Sequence, residues 1–592
     1  MTGVQQPSPP SIRFERYNFN TSHAITANNL FKLKNDAEIS TNLIYYNNKD
    51  KRHSFARTSY VLPGEDTRII EEDISTRNRT NNIEAEFRYN LNKDRNYFNN
   101  YLNVSGSWND DSGEVNTRQL IGQRLNSKSF FANNVTHWIK RKENERGIEL
   151  ISRNAFRTQP HHLRITPGMY PDLINAGNEY KALSQSVRYN AFASDSRFSF
   201  LSAVVFGNVR FSPTANVKIE HQRLHSVMEI TANDNATHAV LNDDMRNNIN
   251  WTRVNTGISL DVAYNGDNLK ISFSMPVTYQ YTVMNAPQTK RKMQNIGKFY
   301  FQPSLMTRYR FTNQLEANGA AGYYTLTPGL MTLYPGYILQ NYRTINRYNA
   351  RLFDTSSLIA SLGLSYKNVL NMFFASGDIS FSHDHSEGMY AQTFDGQLSV
   401  TQVAMQPNDG NSFSVSGRMS KGFNWKALVL SAEASWGRAV IDQLRQNKLV
   451  NYKSQWINAS TSVNLKPFRW FLTEYKISWG RNRGKISSGE NFKPIQSIKQ
   501  RAVVDISLPF NINLNGSLEH YYNNAIQGDK SFTLADLGLT FVSKGIRYSL
   551  DWTNIFNTKK YVSASYGSLN SYYSEYDIRP RSVMLKVRFK LL

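Results

Sequence analysis

The chain has 592 residues, 40% hydrophobic and 13% aromatic, with 33 Tyr, 33 Phe and no Cys. Mean hydropathy is −0.53, and no run approaches the ~18 apolar residues of a membrane helix, so helical spans are excluded. Without cysteine, Cys-ligated metals and Cys nucleophiles are excluded too. The net charge of +23 is spread singly over alternate positions and loops, which speaks against nucleic acid and for anionic headgroups or solutes.

The first residues, MTGVQQPSPPSIRFER, show no basic stretch followed by an apolar one, so no signal peptide is read and Met1 is not expected to be the natural start. Residues 1–10 are Pro-rich and expected to be a disordered connector; residues 11–592 are expected to form one domain. From there strands alternate with two kinds of connection. Short ones carry turn residues: Lys34-Asn35-Asp36, Asn92-Lys93-Asp94, Lys140 to Gly147, Asn265-Gly266-Asp267, Ser420-Lys421-Gly422, Lys466-Pro467-Phe468 and Ser543-Lys544-Gly545. Long ones fall between them, at 159–184, 225–249, 325–356, 385–410, 483–497 and 556–579.

The strands alternate apolar and polar residues. Ile83, Ala85, Phe87, Tyr89 and Leu91 oppose Glu84, Glu86 and Arg88. Leu358 to Tyr366 and Leu428 to Trp436 repeat the pattern, as do Ile546, Tyr548, Leu550 and Trp552. The chain ends on Val583, Leu585, Val587, Phe589 and Leu591, alternating with Met584, Lys586, Arg588 and Lys590. A tilted strand of about 9–11 such residues crosses a bilayer in a barrel. The expected fold is all-β: a large antiparallel transmembrane β-barrel of about 22–24 strands, with short periplasmic turns and long extracellular loops. The competing reading, a secreted β-rich adhesin, predicts no continuous apolar band on the outward faces.

No Walker loop, G-x-S-x-G or H-E-x-x-H occurs, so no enzyme and no cofactor are expected. His383 and His385, flanking Asp384 near Glu387, are the candidate metal ligands, against the ordinary reading of solvated loop residues. His161-His162, and His221, His225 and His238, are lesser groupings. Asp243-Asp244 and Glu71-Glu72-Asp73 are read as solvated loop charges. Tyr566, Tyr572, Tyr573 and Tyr576, in the last long connection, are the candidate ligand surface, since tyrosine offers a flat apolar face and a hydroxyl; Tyr561 is assigned to the aromatic girdle.

The run Trp552-Thr553-Asn554-Ile555-Phe556-Asn557-Thr558-Lys559-Lys560-Tyr561 resembles the penultimate strand of TonB-dependent outer-membrane transporters. The ending Arg579 to Phe589 is similar to the last strand of the family's Bacteroidetes members, and so are Glu15 to Asn20 and Asn28 to Leu33 to their early barrel. The resemblance covers the chain as a barrel portion. It implies a Gram-negative outer-membrane location and uptake of a bulky solute, with Glu84, Glu86, Arg88 and Glu433 lining the path. The partners it implies are TonB and a plug domain with no counterpart in this chain, outer-membrane lipid and lipopolysaccharide, and a surface lipoprotein. A plugless porin or structural barrel is the alternative.

Overall fold

Alternation of period two admits only one outcome for most of this chain, a sheet with one apolar and one polar face. The computed structural model describes the chain except residues 1, 7–9, 143–145, 241, 290–292, 488–491, 568 and 590–592. Parts of the expected turn 140–147 and loop 483–497 lie outside the described residues, as do Lys590 and Leu591. The strand segments form a single sheet, joined antiparallel between neighbours in sequence around the wall. About 22 crossings run from Ala37–Tyr60 to Ser582–Arg588, the size of barrel whose lumen must be filled if it is not to leak.

Register makes the apolar band continuous. Leu537 lies opposite Trp552 and Trp552 opposite Val583; Leu539, Leu550 and Leu585 form the next row, and Phe541, Tyr548 and Val587 the next. Elsewhere Ile379, Val415, Trp436 and Ile457 share a row. All thirteen are partly or fully exposed on the protein, which is tolerable only where lipid takes the place of water. A soluble adhesin does not account for such a band.

The two ends of the chain come together at one strand. Ala37–Tyr60 pairs along its full length with Arg68–Lys93. Its other edge is divided: Glu38–Lys51 pairs with Phe19–Lys32, and Ser54–Tyr60 pairs with Asn570–Tyr576 of the last hairpin. The two partners meet at Arg579. Its backbone N–H donates to the Arg16 carbonyl (2.6 Å), Nε to the Asn18 carbonyl (2.9 Å) and Nη2 to Asn20 Oδ1 (2.8 Å).

The expected boundaries shift in places. Ser420-Lys421-Gly422 and Lys466-Pro467-Phe468 end strands instead of forming turns, and the chain reverses at residues 424–427 and 469–470. At the first site the left-handed backbone belongs to Lys426 and Ala427 (φ 50° and 44°), not to glycine. At the second, a register shift between Leu465 and Phe468 accommodates Pro467, which has no N–H to donate. Four expected loops contain hairpins: the end of Val209–Thr231 with Thr237–Ala239, Ile338–Asn341 with Thr344–Asn346, Met389–Asp395 with Leu398–Ala404, and Lys560–Tyr566 with Asn570–Asp577.

One glycine position is fixed by packing. Gly437 is paired with Trp456, and a Cβ on Gly437 would overlap the indole ring. Gly437→Leu is expected to destabilise the barrel by about 1–3 kcal/mol, the usual cost of overpacking. The check is gel mobility after graded heating: the variant should lose its folded band several degrees below the parent.

Candidate functional site: the occluded outer mouth

The inner face changes character with height. Low in the wall it is polar. Asn103 Nδ2 donates to Glu84 (2.6 Å), Tyr101 OH to Glu86 (2.5 Å), and Ser460 Oγ to Glu433 (2.7 Å), while Arg88 lies 5.3 Å from the Tyr101 ring centre. Glu84, Glu86, Arg88 and Glu433 therefore all stand on the luminal face. Higher up the same face turns apolar, with Ile74, Val115, Ile121, Leu125, Leu163, Ile165 and Leu183 buried. Those side chains need a partner, and the connection 327–354 supplies it by folding into the lumen. Leu339, Tyr342 and Ile345 join that cluster, and Leu330, Leu333, Tyr334 and Ile338 join a second one with Leu224, Ile249 and Trp251.

Buried polar groups fix the loop's position, since each must find a partner once water is excluded. The Gln185 amide closes on the Leu339 backbone in both directions (3.1 and 2.8 Å). The Asn247 amide does the same for Gly336 (3.2 and 2.8 Å), and an added Cβ there would collide with the Arg246 carbonyl. Arg343 donates Nε and Nη2 to the two Glu72 oxygens (3.1 and 3.0 Å) and Nη1 to Tyr60 OH (2.8 Å). Tyr342 OH donates to Glu72 as well (2.8 Å); burial and that carboxylate hold the phenol well above its ordinary pKa, so it remains a donor. At the loop's end Asp354 accepts from Lys298 Nζ (2.7 Å), Thr327 Oγ1 (2.8 Å) and Tyr300 OH (2.9 Å). Burial would raise its carboxyl, but these donors outweigh it and hold it below the usual range.

Residues near the start of the chain also line the inside. Gly3 N–H donates to the Gln340 carbonyl (2.8 Å), Asn341 Nδ2 to Gln5 Oε1 (2.7 Å), and Arg16 forks onto Asp536 (3.1 and 2.8 Å). Loop, early segment and wall thus pack together across the outer mouth, Val4 joining the cluster of Leu339, Tyr342 and Ile345.

The sequence-predicted residues are distributed differently from expectation. Glu72, expected as a solvated charge, is 1% exposed and ion-paired with Arg343; its neighbours Glu71 and Asp73 face outward. Asp243 pairs with Arg246 (2.5 Å) and Asp244 with Arg347 (2.7 Å). His383 and His385 sit two apart on one outward face, bonded to Asn411 (2.9 Å) and Asp409 (2.8 Å). Among the described residues, no three His, Cys, Asp or Glu side chains group closely enough to hold a metal. His161 faces Thr2 while His162 turns to Ser186. Of the tyrosines, Tyr572 and Tyr576 share the register of inward Thr58 and Ser54. Tyr573 shares that of Arg57, and Tyr566 falls on the same face as Tyr573. The four are not one surface. Tyr576 and Tyr561 are buried with Tyr17 in a separate core, so Tyr561 packs inward instead of standing in an outer girdle.

The Arg343–Glu72 pair should dominate the loop's hold. An exposed pair such as Arg57–Glu71 contributes about 0–1 kcal/mol, whereas removing one partner of a buried pair costs about 3–5 kcal/mol. Arg343→Met is expected to expose Arg347 and Arg351 to trypsin, and adding Glu72→Gln should restore much of the protection. Acid should act through Asp354. A depressed carboxyl contributes stability that is complete above the unfolded value of about 3.9 and lost as pH falls through the folded one. Pepsin should therefore spare residues 327–354 at about pH 5 and cut there as the pH falls further below 4, with Asp354→Asn cut at both.

No family model and no curated protein matches this sequence. Solved structures do match. The copper transporter OprC aligns with TM-score 0.50 and 9% identity over 96% of this chain and 81% of that one. The outer membrane transporter YddB from Escherichia coli gives 0.48, 12%, 96% and 75%, and the ferric citrate transporter FecA 0.47, 10%, 95% and 78%. At such identities likeness speaks for fold alone, and OprC carries it: this chain is a large antiparallel transmembrane β-barrel with the fold of a transporter's.

Proposed function

We propose that the chain is the barrel, residues 11–592 after a connector of 1–10, of a TonB-dependent-type receptor of the Bacteroidetes kind. It resides in the Gram-negative outer membrane and admits a bulky solute. The observation that supports this reading is the combination of a wall wide enough for a large lumen with an outer mouth closed by the barrel's own loop. A passive porin needs an open path; a receptor that captures and then admits its ligand needs a closed one. Carbohydrate, peptide and metal chelate all suit a lumen lined by Glu84, Glu86, Arg88 and Glu433. In this reading TonB, a plug domain and a surface lipoprotein act with the parent receptor, lipopolysaccharide surrounds it, and Tyr572 is the tyrosine of the last hairpin turned toward an incoming ligand.

The test is conductance across a planar bilayer. The full chain should be nearly silent, and replacing residues 333–349 by a short Gly-Ser linker should open large steady channels. A full chain that conducts steadily would make it a porin. Silence in both proteins would make it a scaffold.

A further inference from the structure

The transport reading leaves a row of cations on the outside of the wall unused. Lys51 is registered on Arg77, Arg77 on Ser112, Ser112 on Arg124, and Arg124 on Arg164. One level of five neighbouring strands therefore holds four cations and a serine within about 19 Å, taking ~4.8 Å between strands. One level lower, Lys49 lies opposite Arg79, and Arg79 opposite Asp110. All belong to the outward face: Arg77 and Arg79 share parity with exposed Ile83 and Phe87, and Asp110 and Ser112 share it with exposed Trp108.

Like charges directly opposite one another on adjacent strands repel. Carboxylates border the row, Glu114 and Asp577 in the same depression, with Asp577 and Asp73 bonded to His53, but among the described residues direct pairing with the row's cations is confined to Arg124. Asp110 accepts from Arg124 (3.2 and 3.0 Å), while Lys51, Arg77 and Arg164 have no carboxylate partner, and Glu114, one level higher, ion-pairs with none of them. The row lines two adjoining depressions of the outer surface. One, of 910 Å³, is bordered by Lys49, Lys51, Arg77, Arg79 and Arg124; the other is bordered by Lys51, Arg77, Arg124 and Arg164. Height identifies what fills them. A tryptophan on a lipid-facing strand marks the membrane–water boundary, and Ser112 is four residues above Trp108, about 13 Å along a tilted strand. That is headgroup level, on the side away from the lumen, where no transported solute passes.

We infer that Lys51, Arg77, Arg124 and Arg164 form a binding site for the headgroup of an outer-leaflet lipid carrying two or more phosphates. A headgroup with separated phosphates bridges the Lys51–Arg77 and Arg124–Arg164 pairs at once, converting repulsion into charge-assisted hydrogen bonds. The inference rests on the outer-membrane reading above and names the lipid partner's site.

The experiment uses the full chain folded in detergent, with lipid A as the probe. Lipid binding is read as protein-bound phosphorus after gel filtration and as the upward shift in unfolding temperature. The variant K51Q/R77Q/R124Q/R164Q should bind lipid A at least about tenfold more weakly, four phosphate-facing charges having been removed. A variant with equal charge loss at the short-turn rim, K426Q/K466Q/R469Q/K544Q, should change binding by less than about twofold. Should the first variant fail to fold, R77Q/R124Q is read in the same way. Unchanged binding, or an equal loss in the rim variant, would overturn the site. Stabilisation by pyrophosphate equal to that by lipid A would show a site for anions in general and overturn the lipid assignment. The transport reading fails separately: a steadily conducting chain that still binds lipid A through these residues would sink that reading and leave this site intact.

Discussion

Everything in this structure follows from the cost of an unpaired backbone group in hydrocarbon. Inside a bilayer each free N–H and C=O costs several kcal/mol, so a sheet can cross only if it returns to its own beginning. Ala37–Tyr60 is where the two ends of this chain come together. It gives one full edge to Arg68–Lys93 and divides the other between Phe19–Lys32 and the final hairpin. Arg579 ties the division together through three bonds to the segment 16–20. The register of the wall aligns its outward apolar residues into rows, because a one-residue slip would turn all of them inward.

Closure at this width creates the second problem, a lumen too broad for wall side chains to fill. The answer is visible in the change of the inner face with height. Low in the wall, carboxylates bond to amides and hydroxyls across strands and keep the inner face polar. High in the wall, aliphatic residues require cover, and the loop 327–354 covers them with its own apolar residues while Gln185, Asn247 and Glu72 meet its polar groups. The apolar contacts draw the loop inward without fixing a register; the paired amides and the forked Arg343 fix one. A closure held by a few buried polar contacts can be undone at a few points, which suits a mouth that must both close and open.

Much of the wall was legible because strand geometry is periodic. Val583, Leu585 and Val587, or Leu428 to Trp436, declare a lipid face without help from distant sequence. What lay outside that signal was whatever depends on contacts made far along the chain. Glu72 looked like one of three loop acids, yet it shares parity with Ile74 and Glu84. That parity alone points it inward; its partner Arg343 lies 271 residues away. The tyrosines of the last connection looked like one surface because they cluster in sequence. The hairpin Lys560–Tyr566/Asn570–Asp577 separates them by the same period-two rule that governs the wall strands. The cations outside the wall were visible as scattered charge, and only the register of five strands turned Lys51, Arg77, Arg124 and Arg164 into a row.

The central claim, that the barrel's own loop fills its outer mouth, can be tested cleanly because the chain has no cysteine of its own. Leu339→Cys and Asn235→Cys would be reconstituted separately and labelled with a membrane-impermeant maleimide. Leu339 is 1% exposed within the core, and Asn235 is exposed on another outer loop. The account predicts that the cysteine at 339 reacts at least about a hundredfold more slowly than the one at 235, the protection that a local opening cost of roughly 3 kcal/mol confers. Equal rates would mean that the loop stands open in the membrane and that the closed mouth is not the resting state.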